Sequence, residues 1–326
     1  EFASINSRKP KWFMMDGNWV PVIHITGAVE EDFVESVYDL SGSKLFTRSL
    51  SSQAKPDSLA LANVFFPDPI TASSGVYGGN LVDSNDANLA SLNALLAQDI
   101  LSIRWNEDSA AWFLESDFSM AADFHIPYGN PPSSKTGDFN FGRGEFGFEY
   151  VNAHFHINRQ HQHLETLGFG ELVNYPILFD SHGFLEDQSE FQPIDSLQGN
   201  LKFGDGDVDD AEDADVIVHE YAHAISHCIN PFSNYGDQRE AIEEGLCDFF
   251  ALAYSRDISD YQRNLIFNWD GHNEFWVGRE LTYSRTYPSD LEGDKYDDAP
   301  IWTSTLADIS DNVGRDVTEK LLINSI

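Results

Sequence analysis

Basic residues and cysteine are both scarce in this chain. Lysine and arginine together number 19 against 54 aspartates and glutamates, giving a formal net charge of −35 over 326 residues. This imbalance argues against nucleic acid or an anionic membrane surface as a partner, and it favours solubility and cation binding. No apolar run approaches the roughly 20 residues that a membrane-spanning helix needs, so no membrane span is expected. Only two cysteines occur, Cys228 and Cys247. They are either one disulfide or two small buried apolar side chains. No internal repeat is visible.

What the chain does have is a core. Hydrophobic residues make up 41% and aromatics 13%, and the length suffices for two domains or lobes that each bury an interior. The sharpest local pattern is His219-Glu220-Tyr221-Ala222-His223, preceded by the apolar run Val216-Ile217-Val218. Histidines four apart on a helix project from one face about one turn apart, so both imidazoles reach one Zn²⁺. Glu220 stands beside them as a base for a water polarised by the ion. A solvated polar helix face would produce the same five letters, so a third ligand decides between the two.

Ala241 to Asp248 supplies one. If this segment is helical, Glu244 and Asp248 share a face, one carboxylate to bind the ion and one to orient a histidine. His227 continues the row of 219 and 223 and competes as third ligand. On a straight helix it lies about 6 Å further along the axis than His223, too far to close the same ion at ~2.1 Å. It reads instead as a polar residue near the helix end.

HEYAHAISHCINPF followed by EEGLCDFFA resembles the thermolysin superfamily of zinc metallopeptidases, and within it the bacterial fungalysin-like branch. The turn Phe203-Gly204-Asp205-Gly206 ahead of the motif, and the stretches beginning at Tyr287 and Ile301, are similar to the same proteins. The resemblance implies an α+β, two-lobed metallopeptidase with a β-rich N-terminal part, a central zinc helix and a helical C-terminal lobe. The expected domains are 1–54, a β-hairpin region and possible propeptide remnant; 55–230, ending in the zinc helix; and 231–326, a helical lobe that continues in relatives. Zinc would be held by His219, His223 and Glu244, with Asp248 orienting His219 and Glu220 as general base. A secreted location and a peptide or protein substrate with a bulky apolar residue after the cut bond are further implications. The oligomeric state stays open.

Two positions depart from that pattern. Where the family has an oxyanion-donating histidine, this chain has Tyr296, with Ala299 in place of the accompanying glycine. His272 and Tyr235 are alternative donors, and loss of one such donor costs about 10²–10³ in rate. The edge strand that clamps substrate maps to Ser189-Glu190-Phe191-Gln192, with Ser and Glu where the family has Asn and Ala. A propeptide-blocked zymogen and a structural or adhesion module that holds zinc without turnover are therefore alternatives to the active enzyme.

Other segments carry weaker signals. Residues 11 to 50 alternate as strands around a turn at Asp39-Leu40-Ser41-Gly42, either a propeptide tail or the first catalytic sheet, and Ser51 to Ser58 reads as a linker or cleavage region. Trp112 to Phe118 alternates as a strand, and 129–144 reads as a long loop. Glu149 to Leu164 has helical spacing, and its His154, His156, His161 and His163 are either satisfied histidines or a second metal site. After Asp248 the pattern reads as largely helical, with Trp269, Trp276 and Trp302. The acidic run from Asp205 to Asp215 invites Ca²⁺, with Asp205 and Asp207 the candidate contributors, while Asp213 and Asp215 suit a helix N-terminus.

Overall fold

Internal contacts divide the protein into two units, Glu1–Asp57 and Ser58–Ile326. The computed structural model describes residues 4–15, 18–29, 32–42, 44–49 and 57–326. Of the expected linker from Ser51 to Ser58, residues 51–56 lie outside the described residues.

The first unit is an antiparallel meander of β1 (Ser4–Met15), β2 (Asn18–Val29), β3 (Asp32–Asp39) and β4 (Lys44–Ser49), paired in that order. The turn between β3 and β4 closes where the Gly42 amide donates to the Asp39 carbonyl at 3.1 Å. Gly42 has φ +88° there, a backbone state that favours glycine.

The second unit mixes sheets and helices, an α+β arrangement. One sheet runs β5 (Asp57–Val64), β6 (Ala97–Asn106), β7 (Ala111–Phe113), β9 (Ser133–Ser134), with β8 (Ser119–Ala121) in another. The short helices α1 (Pro69–Ser73) and α2 (Ala90–Asn93) fall between β5 and β6. The other sheet, in the order β11 (Glu190–Pro193), β12 (Gly199–Gly204), β10 (Ile177–Phe184), β8, leaves β11 at its edge. Of the strand expected from Trp112 to Phe118, only Trp112 and Phe113 are strand, in β7; residues 114–118 form the turn that leads into β8 of the other sheet.

Helix α3 (Phe148–Leu167) is buried along most of its circumference and ends at Gly168, whose φ of +89° makes an αL stop. Its histidines are consumed by the core. His154 bonds Ser119 Oγ at 2.8 Å and the Ser102 carbonyl at 2.7 Å, and His156 bonds Tyr254 Oη at 2.7 Å and the Phe65 carbonyl at 2.9 Å. His161 meets Tyr221 Oη at 2.8 Å and His163 meets Glu319 at 2.5 Å. Burial pushes His154 and His161 down to about 4 and His156 to about 3. Each histidine commits a ring nitrogen to a protein partner, and among the described residues none of the four belongs to a convergent metal-ligand group.

A 3₁₀ turn, Asp210–Glu212, leads into α4 (Ala214–Ile229), which buries Ile217, Val218, Tyr221, Ala222 and Ile225. Asp213 caps α4 by accepting from the Asp215 amide at 2.8 Å. Both acids also grip a distant loop. Asp213 Oδ2 accepts from the amides of Trp269 and Asp270 at 3.0 and 3.1 Å, and Asp215 Oδ2 from that of Phe267 at 2.9 Å. Helix α5 (Asp237–Ile258) packs on α4 and on α6 (Lys295–Val313), and α7 (Arg315–Ile323) closes the chain. No division falls at 230/231, because residues of α4 and α5 share one core. Residues 259–294 are not helical as expected. They are turns around the short hairpin of β13 (Leu265–Ile266) and β14 (Arg279–Glu280), their amides held by Asp213 and Asp215 instead of by a helical ladder. Among the described residues no helix is long and apolar enough to cross a membrane.

Gly245 sets the approach of α5 to α6. A Cβ there would lie 2.6 Å from the Ala299 carbonyl oxygen and 2.9 Å from Trp302 Cβ. Gly245→Ala is expected to destabilise the fold by about 1–3 kcal/mol through overpacking, outweighing the roughly 1 kcal/mol that alanine gains over glycine in a helix. A denaturation midpoint that rises in this variant would contradict it.

Candidate metal centre

Helices α4 and α5 bring their polar faces together at the floor of an open cleft of about 1110 Å³. The rings of His219 and His223 stand 5.0 Å apart, nearly perpendicular. From α5, Glu244 Oε2 lies 3.4 Å from His219 Nε2, and Asp248 Oδ1 lies 3.0 Å from His219 Nδ1. The Asp248 contact is short but off the line of an ideal hydrogen bond, leaving that ring nitrogen without an aligned partner. Burial opposes charge on His219, yet Asp248 and Glu244 overcome it and raise its pKa to about 9. For Glu244, burial is likewise outweighed by the His219 contact and by the charges of His223, His219 and Arg279. They hold the carboxyl well below its usual range. The pocket attracts positive charge.

His223 is held from its other side. Its Nδ1 lies 3.4 Å from Glu243 Oε1 and 3.3 Å from Cys247 Sγ, which leaves Nε2 as the free donor. Glu243 is itself anchored by Ser226 Oγ and Arg239 Nη1, each at 2.8 Å. Glu220 is 7% exposed. Burial raises its pKa, against the lowering pull of His223 and His219.

Two donor sets therefore meet here. His219, His223 and Cys247 offer atoms within 4.8 Å of one another, while Glu244 faces His219 Nε2. Cys247 is fully buried, and burial followed by the charges of Glu243, Glu244, Glu220 and Asp248 pushes its thiol well up, which disfavours the thiolate that a metal requires. Glu244 is already ionised and lines the cleft. The 3.4 Å between Glu244 and His219 Nε2 equals the ~3.4 Å edge of a tetrahedron with ligands ~2.1 Å from Zn²⁺. Glu244 and His219 thus match one edge of a zinc site, while the donor atoms that converge among the described residues are those of His219, His223 and Cys247.

The remaining expected residues separate. Tyr296 lines the cleft, half-exposed, with Lys295 Nζ 4.4 Å and Arg279 Cζ 5.1 Å from its ring centre. Tyr235 is 88% exposed and does not line the cleft. His272 does not line it either. Its Nε2 lies 3.0 and 3.2 Å from the carbonyls of Ile266 and Arg279, pinning the β13–β14 hairpin, and it packs against Gly278. Both drop out as oxyanion donors because one is in solvent and the other is occupied by backbone. His227 bonds the Asp195 carbonyl at 2.6 Å. Cys228 and Cys247 are free thiols; Cys228 Sγ contacts the Leu197 carbonyl at 3.5 Å. Asp205 is paired with His182 Nδ1 at 2.7 Å, and Asp207 occupies a turn with φ +60°. Neither belongs to a convergent ligand group among the described residues.

Sequence reading missed the site's cations. Arg279 Nη1 lies 2.5 Å from Asp248 Oδ1 and 3.6 Å from Glu244 Oε2, and Lys295 Nζ bonds Glu244 Oε1 at 2.9 Å. Neither has a spacing relation to the HExxH motif. Scarcity of basic residues was the one available signal, since a rare cation beside a cleft is more informative in so acidic a chain.

Compared with known proteins, the chain matches no family model and no curated protein.

Proposed function

We propose that the chain is a zinc-dependent endopeptidase of the thermolysin-like type, two-lobed about this cleft and secreted. The observation that carries the proposal is that His219, His223, Glu244 and a buried Glu220 line one cleft bordered by the edge strand β11, with Glu244 3.4 Å from His219 Nε2. Bound between those three ligands, Zn²⁺ would supply a Lewis acid that polarises a peptide carbonyl and acidifies water. Glu220 takes the proton from the attacking water and delivers it to the leaving amine. Its burial holds it in place for both transfers. Asp248 orients the His219 ring from the far nitrogen, and Arg279 in turn anchors Asp248. β11 offers an unpaired strand edge along which an extended peptide can add. Of the three expected oxyanion donors, Tyr296 alone borders the cleft, joined by Arg279 and Lys295.

A second reading, a zinc-holding module with little turnover, draws on one observation: Tyr235 and His272 do not line the cleft. Metal analysis paired with cleavage of an unstructured protein separates the two. The active enzyme predicts one zinc per chain, cleavage that a zinc chelator stops, and loss of both zinc and cleavage in Glu244→Ala. Zinc without cleavage would favour the module, and a chain that takes up no zinc would sink both readings.

A further inference from the structure

At the other side of the same cleft a second group of carboxylates converges. Asp187, Asp210 and Asp270 each bring one oxygen within 4.8 Å of the others. They come from three separate segments: the loop before β11, the 3₁₀ turn before α4, and the loop after β13. Asp210 and Asp270 are 2% and 4% exposed. Among the described residues no lysine, arginine or histidine pairs with any of the three. Asp210 accepts from Ser189 Oγ and, at 3.3 Å, from the Gly204 amide. Asp270 Oδ1 is buried and accepts nothing. Burial, and then the charges of Asp210, Asp187, Asp213 and Asp207, push the Asp270 carboxyl well up. These neighbouring charges are all negative, and among the described residues no cationic side chain pairs with the group.

We propose that Asp187, Asp210 and Asp270 bind a calcium ion that ties the edge strand β11 to the loop after β13 and to the approach of α4. An oxygen-only set suits a hard cation, and Ca²⁺ with ligands at about 2.4 Å spans oxygens up to about 4.8 Å apart. Mg²⁺ keeps most of its waters and takes one or two carboxylates, and zinc prefers nitrogen and sulfur. Asp187 is three residues ahead of Glu190, where β11 begins, and Ser189 is already bonded to Asp210. An ion there therefore holds the strand edge against the cleft floor. The inference does not rest on the peptidase reading.

The test is calorimetric titration of the full chain, stripped with a chelator, using CaCl₂ or MgCl₂, together with thermal melting and zinc analysis. One Ca²⁺ per chain and a calcium-dependent rise in Tm are expected, with Mg²⁺ binding at least tenfold weaker. Asp187→Asn and Asp270→Asn should each weaken Ca²⁺ binding at least tenfold and remove the Tm response, while Asp205→Asn retains both. Zinc uptake by Asp187→Asn should be unchanged, which keeps this site distinct from the histidine centre. Asp187 is exposed, so that variant decides the matter if Asp270→Asn fails to fold. Absence of Ca²⁺ binding by the unmodified chain, equal affinity in Asp187→Asn, or preference for Mg²⁺ would overturn the proposal.

Discussion

Glu220→Gln is expected to reduce peptide hydrolysis by a factor of about 10²–10⁴ while the chain keeps its fold and its zinc. The side chain is 7% exposed, so glutamine, nearly identical in shape, fills the same volume without leaving a cavity. What it loses is the ability to accept a proton. Glutamine also differs from a ligand substitution, because Glu220 is not one of the three proposed ligands. Rate assays run beside metal analysis distinguish the two effects: rate falls and zinc stays. Equal activity in the unmodified chain and the variant would reject Glu220 as the base, whatever the zinc content. Loss of zinc in the variant would instead make Glu220 part of the ligand set.

The largest stability effect is expected at Arg143, a residue with no place in the chemistry. Its guanidinium is fully buried. Nε and Nη2 bond the two oxygens of Glu212 at 2.5 and 2.8 Å, Nη1 bonds the Asp83 carbonyl at 2.9 Å, and Nη2 also bonds the Asp83 carboxylate. Glu212 accepts in addition from Trp269 Nε1 at 2.9 Å. This one cation joins the 77–93 region, the turn before α4 and the loop that carries Asp270. Arg143→Met leaves two buried carboxylates without their partner, a loss of about 3–5 kcal/mol. Lysine should rescue little, since a point charge cannot reproduce the fork geometry. Adding Glu212→Gln to Arg143→Met should recover part of the loss, because the orphaned charge is removed with its partner. Urea unfolding followed by tryptophan fluorescence reads all four proteins, and an unchanged midpoint for Arg143→Met would refute the assignment.

Much of the local structure was legible in the residues. Helix α4 is encoded by an apolar run and an aspartate at its N-cap, and its two histidines share a face through their four-residue spacing. Glu244 and Asp248 occupy one face of α5 because four residues are close to one helical turn. The edge strand near Ser189 and the turn at Gly42 were likewise readable, the first from its similarity to a known pattern and the second from glycine chemistry. After Asp248 the helical reading holds for the end of α5 and for α6 and α7 but not for residues 259–294. Phe267, Trp269 and Asp270 spend their amides on Asp213 and Asp215, partners more than fifty residues away that no periodicity reveals.

The functional assignments divide along the same line. By itself the sequence determined the candidate ligands His219, His223 and Glu244 and the candidate base Glu220, because their placement is fixed by spacing along two helices. Only the tertiary structure decided that His272 is bound to backbone, that Tyr235 is in solvent, and that Cys228 and Cys247 are free thiols. It alone brought Arg279 and Lys295 to Glu244 and gathered Asp187, Asp210 and Asp270. The physical reason is range. Helical spacing acts over a few residues, whereas the burial and charge that define these contacts arise only when segments far apart in the chain pack against one another.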